Sequence, residues 1–178
     1  MADSHASPPW RWRIALLSYR ILSPLLLLIA LPAWLRKMAA RGGWSTPFGE
    51  RFSCYRDDPE WAPLGTLHFH AVSVGETLIA LKLLRAIRKT TASRMVLAVS
   101  TATAYDVAKS ASIVDLDVIY SPIDLHLFVH RYLTRFQPQK IVLVEAEAWP
   151  ELMQQCEKRG IPVQMINARL SARSRRRA

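Results

Sequence analysis

Residues 66–89 read "TLHFHAVSVGETLIALKLLRAIRK", and the change of period inside this stretch decides the fold. "TLHFHAV" is a short apolar run of strand type. From Thr77 onward, Leu78, Leu81, Leu84 and Ile87 recur every third residue, with Lys82, Arg85 and Arg88 placed elsewhere. That pattern predicts an amphipathic helix. The joint between strand and helix is "SVGE", so a carboxylate, Glu76, stands where the strand hands over to the helix.

The same alternation repeats downstream. "RMVLAVST" is a strand, and "ATAYDVAKSA" a helix that Thr101 or Thr103 can cap. "LDVIYSP" is a strand, followed by the helix "LHLFVHRYLTRF" with Asp124 in an N-cap position. "KIVLVEA" is almost continuously apolar, as in a strand buried on both faces. "PELMQQCEKRG" is a helix with Pro150 in its first turn and Gly160 just past its end, and "IPVQMIN" is a fifth strand. The expectation is an α/β fold: a Rossmann-like parallel sheet with helices on both faces.

Sheets of this kind bind ligands beyond the carboxyl ends of their strands, where the strand order reverses. For the common order 3-2-1-4-5 that crevice lies between the first and fourth strands. The first leads into Ser73, Gly75 and Glu76; the fourth leads into "EAEAWP", with Glu145, Glu147 and Trp149. A helix N-terminus favours the charged form of Glu76, while like-charge repulsion from Glu145 and Glu147 opposes it. Such a group can serve as a base toward a hydroxyl. A purely structural role for Glu76, as a complement to the helix dipole, fits the sequence as well.

Other chemistries lose support. The six glycines form neither GxGxxG nor a Walker A loop. His68 and His70 lie on one side of a strand but lack a third ligand at suitable spacing, so packed histidines are expected and no metal site. His126 and His130 sit one turn apart, on a solvated or packed face. Ser73 and Thr77 have no GxSxG context. Cys54 and Cys156 are far apart, which argues against a disulfide framework.

The composition, 51% hydrophobic and 21% charged, is that of a globular chain. Its net charge of +10 points to an anionic partner. The uncharged run Ile21 to Leu35 spans about 22 Å as a helix, short of the roughly 30 Å hydrocarbon core. Extending it back to Ile14 reaches spanning length but includes Arg20, which would then snorkel toward a headgroup. Trp10, Trp12 and Trp34 suit interfacial positions. The expected divisions are a disordered leader (1–13), a hydrophobic membrane-anchor helix (14–37), an irregular linker (38–64), the α/β domain (65–170) and a basic tail (171–178).

The stretches "HAVSVGETLIALKLLRAIR", "YSPIDL", "EAEAWPELM" and "IPVQMINARLSARS", together with "FGERF" (48–52), resemble the N-terminal half of the 3-deoxy-D-manno-octulosonic acid (Kdo) transferases. That resemblance implies a GT-B glycosyltransferase, inverting and metal-independent, whose N-terminal domain takes a lipid A precursor at the cytoplasmic face of the inner membrane. No cofactor is implied; CMP-Kdo is the donor, held by a C-terminal domain. By the same likeness Glu76 is the proton acceptor and Glu145 a transition-state stabiliser. Ser73 and Gly75 belong to the loop holding the base, and Asn167, Arg169 and Ser171 to the "NARLS" segment. The chain departs from the family where "TATAYD" replaces a Thr-Pro-Thr-Gly turn, and where Trp149-Pro150 is followed by Glu151 instead of Asn. The pattern is also lost at Arg175, where the expected donor domain does not follow; a partial chain, inactive alone, is the expectation. A membrane-anchored module that binds anionic glycolipid without chemistry is the alternative; nucleic acid is not an expected partner.

Overall fold

The computed structural model describes residues 10–40, 47–56, 65–145 and 149–167. Five strands, β1 (Leu67–Ala71), β2 (Met95–Val99), β3 (Leu116–Tyr120), β4 (Lys140–Val144) and β5 (Val163–Ile166), form one parallel sheet in the order β3-β2-β1-β4-β5. The strand order therefore reverses between β1 and β4.

Alternate residues along each strand feed two cores. Phe69, Leu97, Val99, Val118 and Val142 point to the side covered by α2 (Val74–Arg88) and α3 (Ala102–Ser110). Val96, Ala98, Ile119, Ile141 and Leu143 face α4 (His126–Phe136) and α5 (Pro150–Arg159). Helices thus cover both faces, which explains why β2 and β4 read as unbroken apolar runs. The buried stripe of α2 is Thr77, Ala80, Leu81 and Leu84; Leu78, expected on that stripe, is instead 55% exposed. The stripe alternates four-residue and three-residue steps, and a strict three-residue step drifts off the face.

The helix α1 (Trp10–Ala40) precedes this domain. Residues 10–13, expected to be disordered, form its first turn. Within the segment expected to be an irregular linker, Phe48–Phe52 form a 3-10 helix packed against the domain. Thr101 caps α3 by accepting from the Ala104 N–H at 3.2 Å. Asp124 does not cap α4, whose N-cap is Leu125 without a side-chain bond. Its carboxylate accepts instead from the N–H groups of Glu151 and Leu152, at 3.1 and 2.9 Å, and so caps α5. α5 begins at Trp149–Pro150, which offers no capping oxygen of its own.

Candidate functional site at the carboxyl ends of β1 and β4

β1 and β4 pair with His70 opposite Leu143, so Ala71 and Val144 end side by side at the switch point. Two residues beyond Ala71, Ser73 caps α2: its hydroxyl accepts from the Glu76 N–H at 3.3 Å. The Glu76 side chain returns the interaction. One carboxylate oxygen accepts from the Val72 N–H at 2.6 Å, the other from the Ser73 hydroxyl at 3.1 Å. This reciprocal cap holds a carboxylate, 5% exposed, at the N-terminus of a helix where the dipole favours negative charge. Each oxygen keeps a lone pair. Gly75 is exposed, and a Cβ built on it would meet only the Ser73 hydroxyl, at 3.8 Å. Among the described residues, packing therefore gives no reason for a glycine there.

On the neighbouring strand Glu145 follows Val144 in a left-handed conformation, φ 71°. Its N–H donates to the Ile166 carbonyl at 2.9 Å, and its carboxylate accepts from the Asn167 side-chain amide at 3.2 Å. Asn167 is itself left-handed, φ 54°. Two non-glycine residues in this region, bonded to each other at the ends of β4 and β5, hold backbone strain of order 1 kcal/mol each at the rim. Trp149 lies with its ring edge-on to His70, centroids 5.9 Å apart, and packs with the α4/α5 core. The expected site residues Glu147, Arg169 and Ser171 lie outside the described residues.

His68 and His70 share the Tyr132 hydroxyl, His70 at 3.0 Å, and His68 also reaches Thr66 at 3.1 Å. Burial drives His70 down to about 4, and burial with the neighbouring His70 drives His68 well below its usual value. Both imidazoles are neutral packing groups at pH 7. Among the described residues no group of three or more His, Cys, Asp or Glu side chains could hold a metal ion.

Sequence reasoning missed a second acidic and basic pair on this rim. Glu50, buried, accepts from the Tyr120 N–H at 2.8 Å, at the carboxyl end of β3. Arg51 donates to the Ser100 carbonyl just past β2, and its guanidinium lies 3.7 Å from the centroid of the Tyr120 ring. The Ile123 N–H donates in turn to the Arg51 carbonyl at 2.9 Å. Burial lifts the Glu50 carboxyl to about 7 against the opposing pull of the Tyr120 N–H and of Lys109, Arg56 and Arg51. The signal was "FGERF" itself, a charged pair enclosed by two aromatic residues.

A third cluster ties α1 to the rim. Arg20 donates to both oxygens of the buried Glu151, at 2.8 and 2.9 Å; it pairs across the protein rather than reaching for a headgroup. His126 reaches the same carboxylate at 2.6 Å and Gln155 donates to it at 2.8 Å. His126 therefore has an acidic partner, which local spacing did not reveal. The Tyr19 hydroxyl donates to the Asp124 carboxylate at 3.0 Å. Burial works against the Glu151 charge, but the bonds from Arg20, Gln155 and His126 outweigh it and hold the carboxyl at about 2. A groove of about 610 Å³ between α1 and α5 is lined in part by Arg13, Leu16 and Lys158, and by neither Glu76 nor Glu145.

Parallel order and helices on both faces define the class: a doubly wound α/β domain whose sheet reverses between β1 and β4, the strands that Glu76 and Glu145 follow. The family model described as 3-deoxy-D-manno-octulosonic-acid transferase (kdotransferase) matches residues 46–178, and the chain belongs to that family. It is 33% identical over 129 residues, 72% of its length, to the 3-deoxy-D-manno-octulosonic acid transferase of Haemophilus influenzae. To the corresponding transferase of Bordetella pertussis it is 32% identical over 170 residues, 91% of the chain. The matches occupy 30% and 38% of those two proteins, so the chain spans about a third of their length.

Proposed function

We propose that this chain is the acceptor-binding half of a GT-B glycosyltransferase that moves Kdo from CMP-Kdo to a lipid A precursor, lipid IVA, in lipopolysaccharide synthesis. The reading places it at the cytoplasmic face of the inner membrane, with α1 as the membrane-contacting element. The observation that carries the proposal is the convergence of Ser73–Glu76 and Glu145 on neighbouring strand ends at the switch point.

The chemistry follows from that placement. The acceptor hydroxyl attacks the anomeric carbon of Kdo, a new C–O bond forms, the bond to the CMP phosphate breaks, and CMP leaves with the electron pair. The hydroxyl proton passes to the Glu76 carboxylate, each of whose oxygens keeps a lone pair beside its bond to Val72 or Ser73. A single displacement of this kind inverts the anomeric centre. Glu145, held by Asn167, stabilises the positive charge that develops on the sugar ring as the phosphate departs. The excess of Lys and Arg, 24 against 14 acidic residues, suits a bisphosphorylated acceptor.

The reciprocal cap favours one alternative, in which Glu76 only braces α2 and the domain binds glycolipid without chemistry. The chain is assayed with CMP-Kdo and lipid IVA together with the C-terminal half of a family member, as wild type and as Glu76→Gln. Glutamine keeps an acceptor for the Val72 N–H but cannot take a proton. A general base predicts turnover lower by about 10²–10⁴ with acceptor affinity unchanged. Turnover within a few-fold of wild type assigns Glu76 to the cap alone.

A further inference from the structure

We propose that the carboxyl ends of β2 and β3, together with the N-terminus of α3, form a subsite for a phosphate group of the acceptor, one strand away from the Glu76 loop. The inference rests on the transferase reading above and adds the place where the acceptor's anionic group is held. Polar atoms that the fold buries without matching them mark that place.

β2 and β3 pair with Val99 opposite Tyr120, and the Ser121 N–H donates to the Val99 carbonyl at 2.9 Å. Ser100 and Ser121 therefore leave the sheet side by side. Arg51 reaches the same place from the 3-10 helix Phe48–Phe52. That helix is fixed by Trp34, packed on Phe48 with centroids 5.6 Å apart, and by Phe128, edge-on to Phe52 at 5.5 Å. The Arg51 guanidinium donates to the Ser100 carbonyl and lies over the Tyr120 ring. Arg51 and Ser121 are 5% and 4% exposed. Yet Arg51 Nε and the hydroxyls of Ser100 and Ser121 have no hydrogen-bond partner among the described residues. Unmatched buried polar atoms are costly and uncommon, and three in one place point to a ligand.

The helix that follows Ser100 supplies further donors. The Tyr105 N–H makes the first backbone bond of α3, to the Thr101 carbonyl at 3.0 Å, and the Ala104 N–H is taken by the Thr101 hydroxyl. The N–H groups of Ala102 and Thr103 precede these bonds and belong to the free end of the helix. Thr101 and Thr103 are exposed, so this end of α3 opens to solvent. A planar guanidinium, hydroxyls and first-turn N–H groups are a donor set, and it fits the acceptor-only oxygens of a phosphate. The acidic neighbour is Glu50, on which Lys109, Arg56 and Arg51 all act as positive charges. β1 and β2 pair with Ala71 opposite Val99, so Val72, whose N–H holds Glu76, lies beside Ser100. One strand spacing is about 4.8 Å and two are about 10 Å. A sugar that presents a hydroxyl to Glu76 can therefore set a phosphate on the same ring, or on the next, over Ser100 and Ser121.

The test titrates the full chain in detergent, by calorimetry, with lipid IVA, with the same lipid stripped of its phosphates, and with inorganic phosphate. The wild type is expected to bind the phosphorylated lipid at least about tenfold tighter than the stripped one. Ser121→Ala and Arg51→Lys each reduce that preference about tenfold and leave the affinity for the stripped lipid unchanged. Ser121→Ala removes an unmatched buried hydroxyl, so its stability to urea equals or exceeds that of the wild type. A preference kept in both variants, with Ser121→Ala unfolding more easily, assigns these groups to the fold and overturns the proposal. Equal affinity of the wild type for the two lipids overturns it as well, while leaving acceptor binding intact. Inorganic phosphate bound through Ser121 and Arg51, with neither lipid bound, supports the subsite but gives it to a free phosphate, and it is the acceptor reading above that then fails.

Discussion

Glu50 is a carboxyl group sealed against a backbone N–H, and its proton has a measurable consequence. Burial raises its pKa from an ordinary 4.5 to about 7. Between those values the folded chain holds a proton that the unfolded chain has released. The stability this group contributes is therefore complete below about 4.5 and is lost as pH rises through about 7. The loss amounts to about 3 kcal/mol at most. Glu50→Gln keeps an acceptor for the Tyr120 N–H and removes the ionisation. The variant is expected to match wild type at pH 4.5 and to exceed its stability at pH 8, as read from urea denaturation. Parallel pH profiles for the two proteins would show that Glu50 ionises freely. Glu76, on the same rim, is met instead by a backbone N–H and a hydroxyl at a helix N-terminus.

α5 depends on a carboxylate it does not own. Asp124 comes from the connection after β3 and caps the first turn of α5, while α4, which directly follows Asp124, has no side-chain cap. Asp124→Ala is expected to cost about 1–2 kcal/mol and to speed hydrogen exchange in the first turn of α5 more than in that of α4. Equal acceleration in both helices would assign Asp124 to the helix its sequence position suggests. The contrast marks what sequence can disclose. Strand and helix periods are local, so all five strands were legible, and the sheet adopts the common order 3-2-1-4-5, which sets the ends of β1 and β4 side by side. A cap that crosses 27 residues is not local: Asp124 before an amphipathic run looks the same whichever helix it serves. The bond from the Asn167 amide to the Glu145 carboxylate depends on two left-handed backbone turns, and non-glycine residues do not announce them.

For the molecule as a whole the question is what fixes α1 to the domain. Arg20 and Glu151 are 131 residues apart and meet at 2.8 Å, with the Glu151 side chain fully buried and that of Arg20 30% exposed. Removing one member of a buried pair leaves the other desolvated, which costs more than the pair contributes. Arg20→Met is thus expected to destabilise the protein by about 2 kcal/mol. Glu151→Gln in addition should recover part of that loss, because the uncompensated charge is gone. The pH dependence has a definite sign. Glu151 is held at about 2, so its contribution is present above the ordinary carboxylate value and disappears as pH falls toward about 2. Arg20→Met should weaken that acid dependence, and the double variant should lack it. Denaturation of the four proteins of this cycle at pH 7 and pH 3 measures both effects. A coupling near zero would mean that the buried Leu16 and the packing of Trp34 on Phe48 hold the helix by themselves, with the ion pair only filling the space between them.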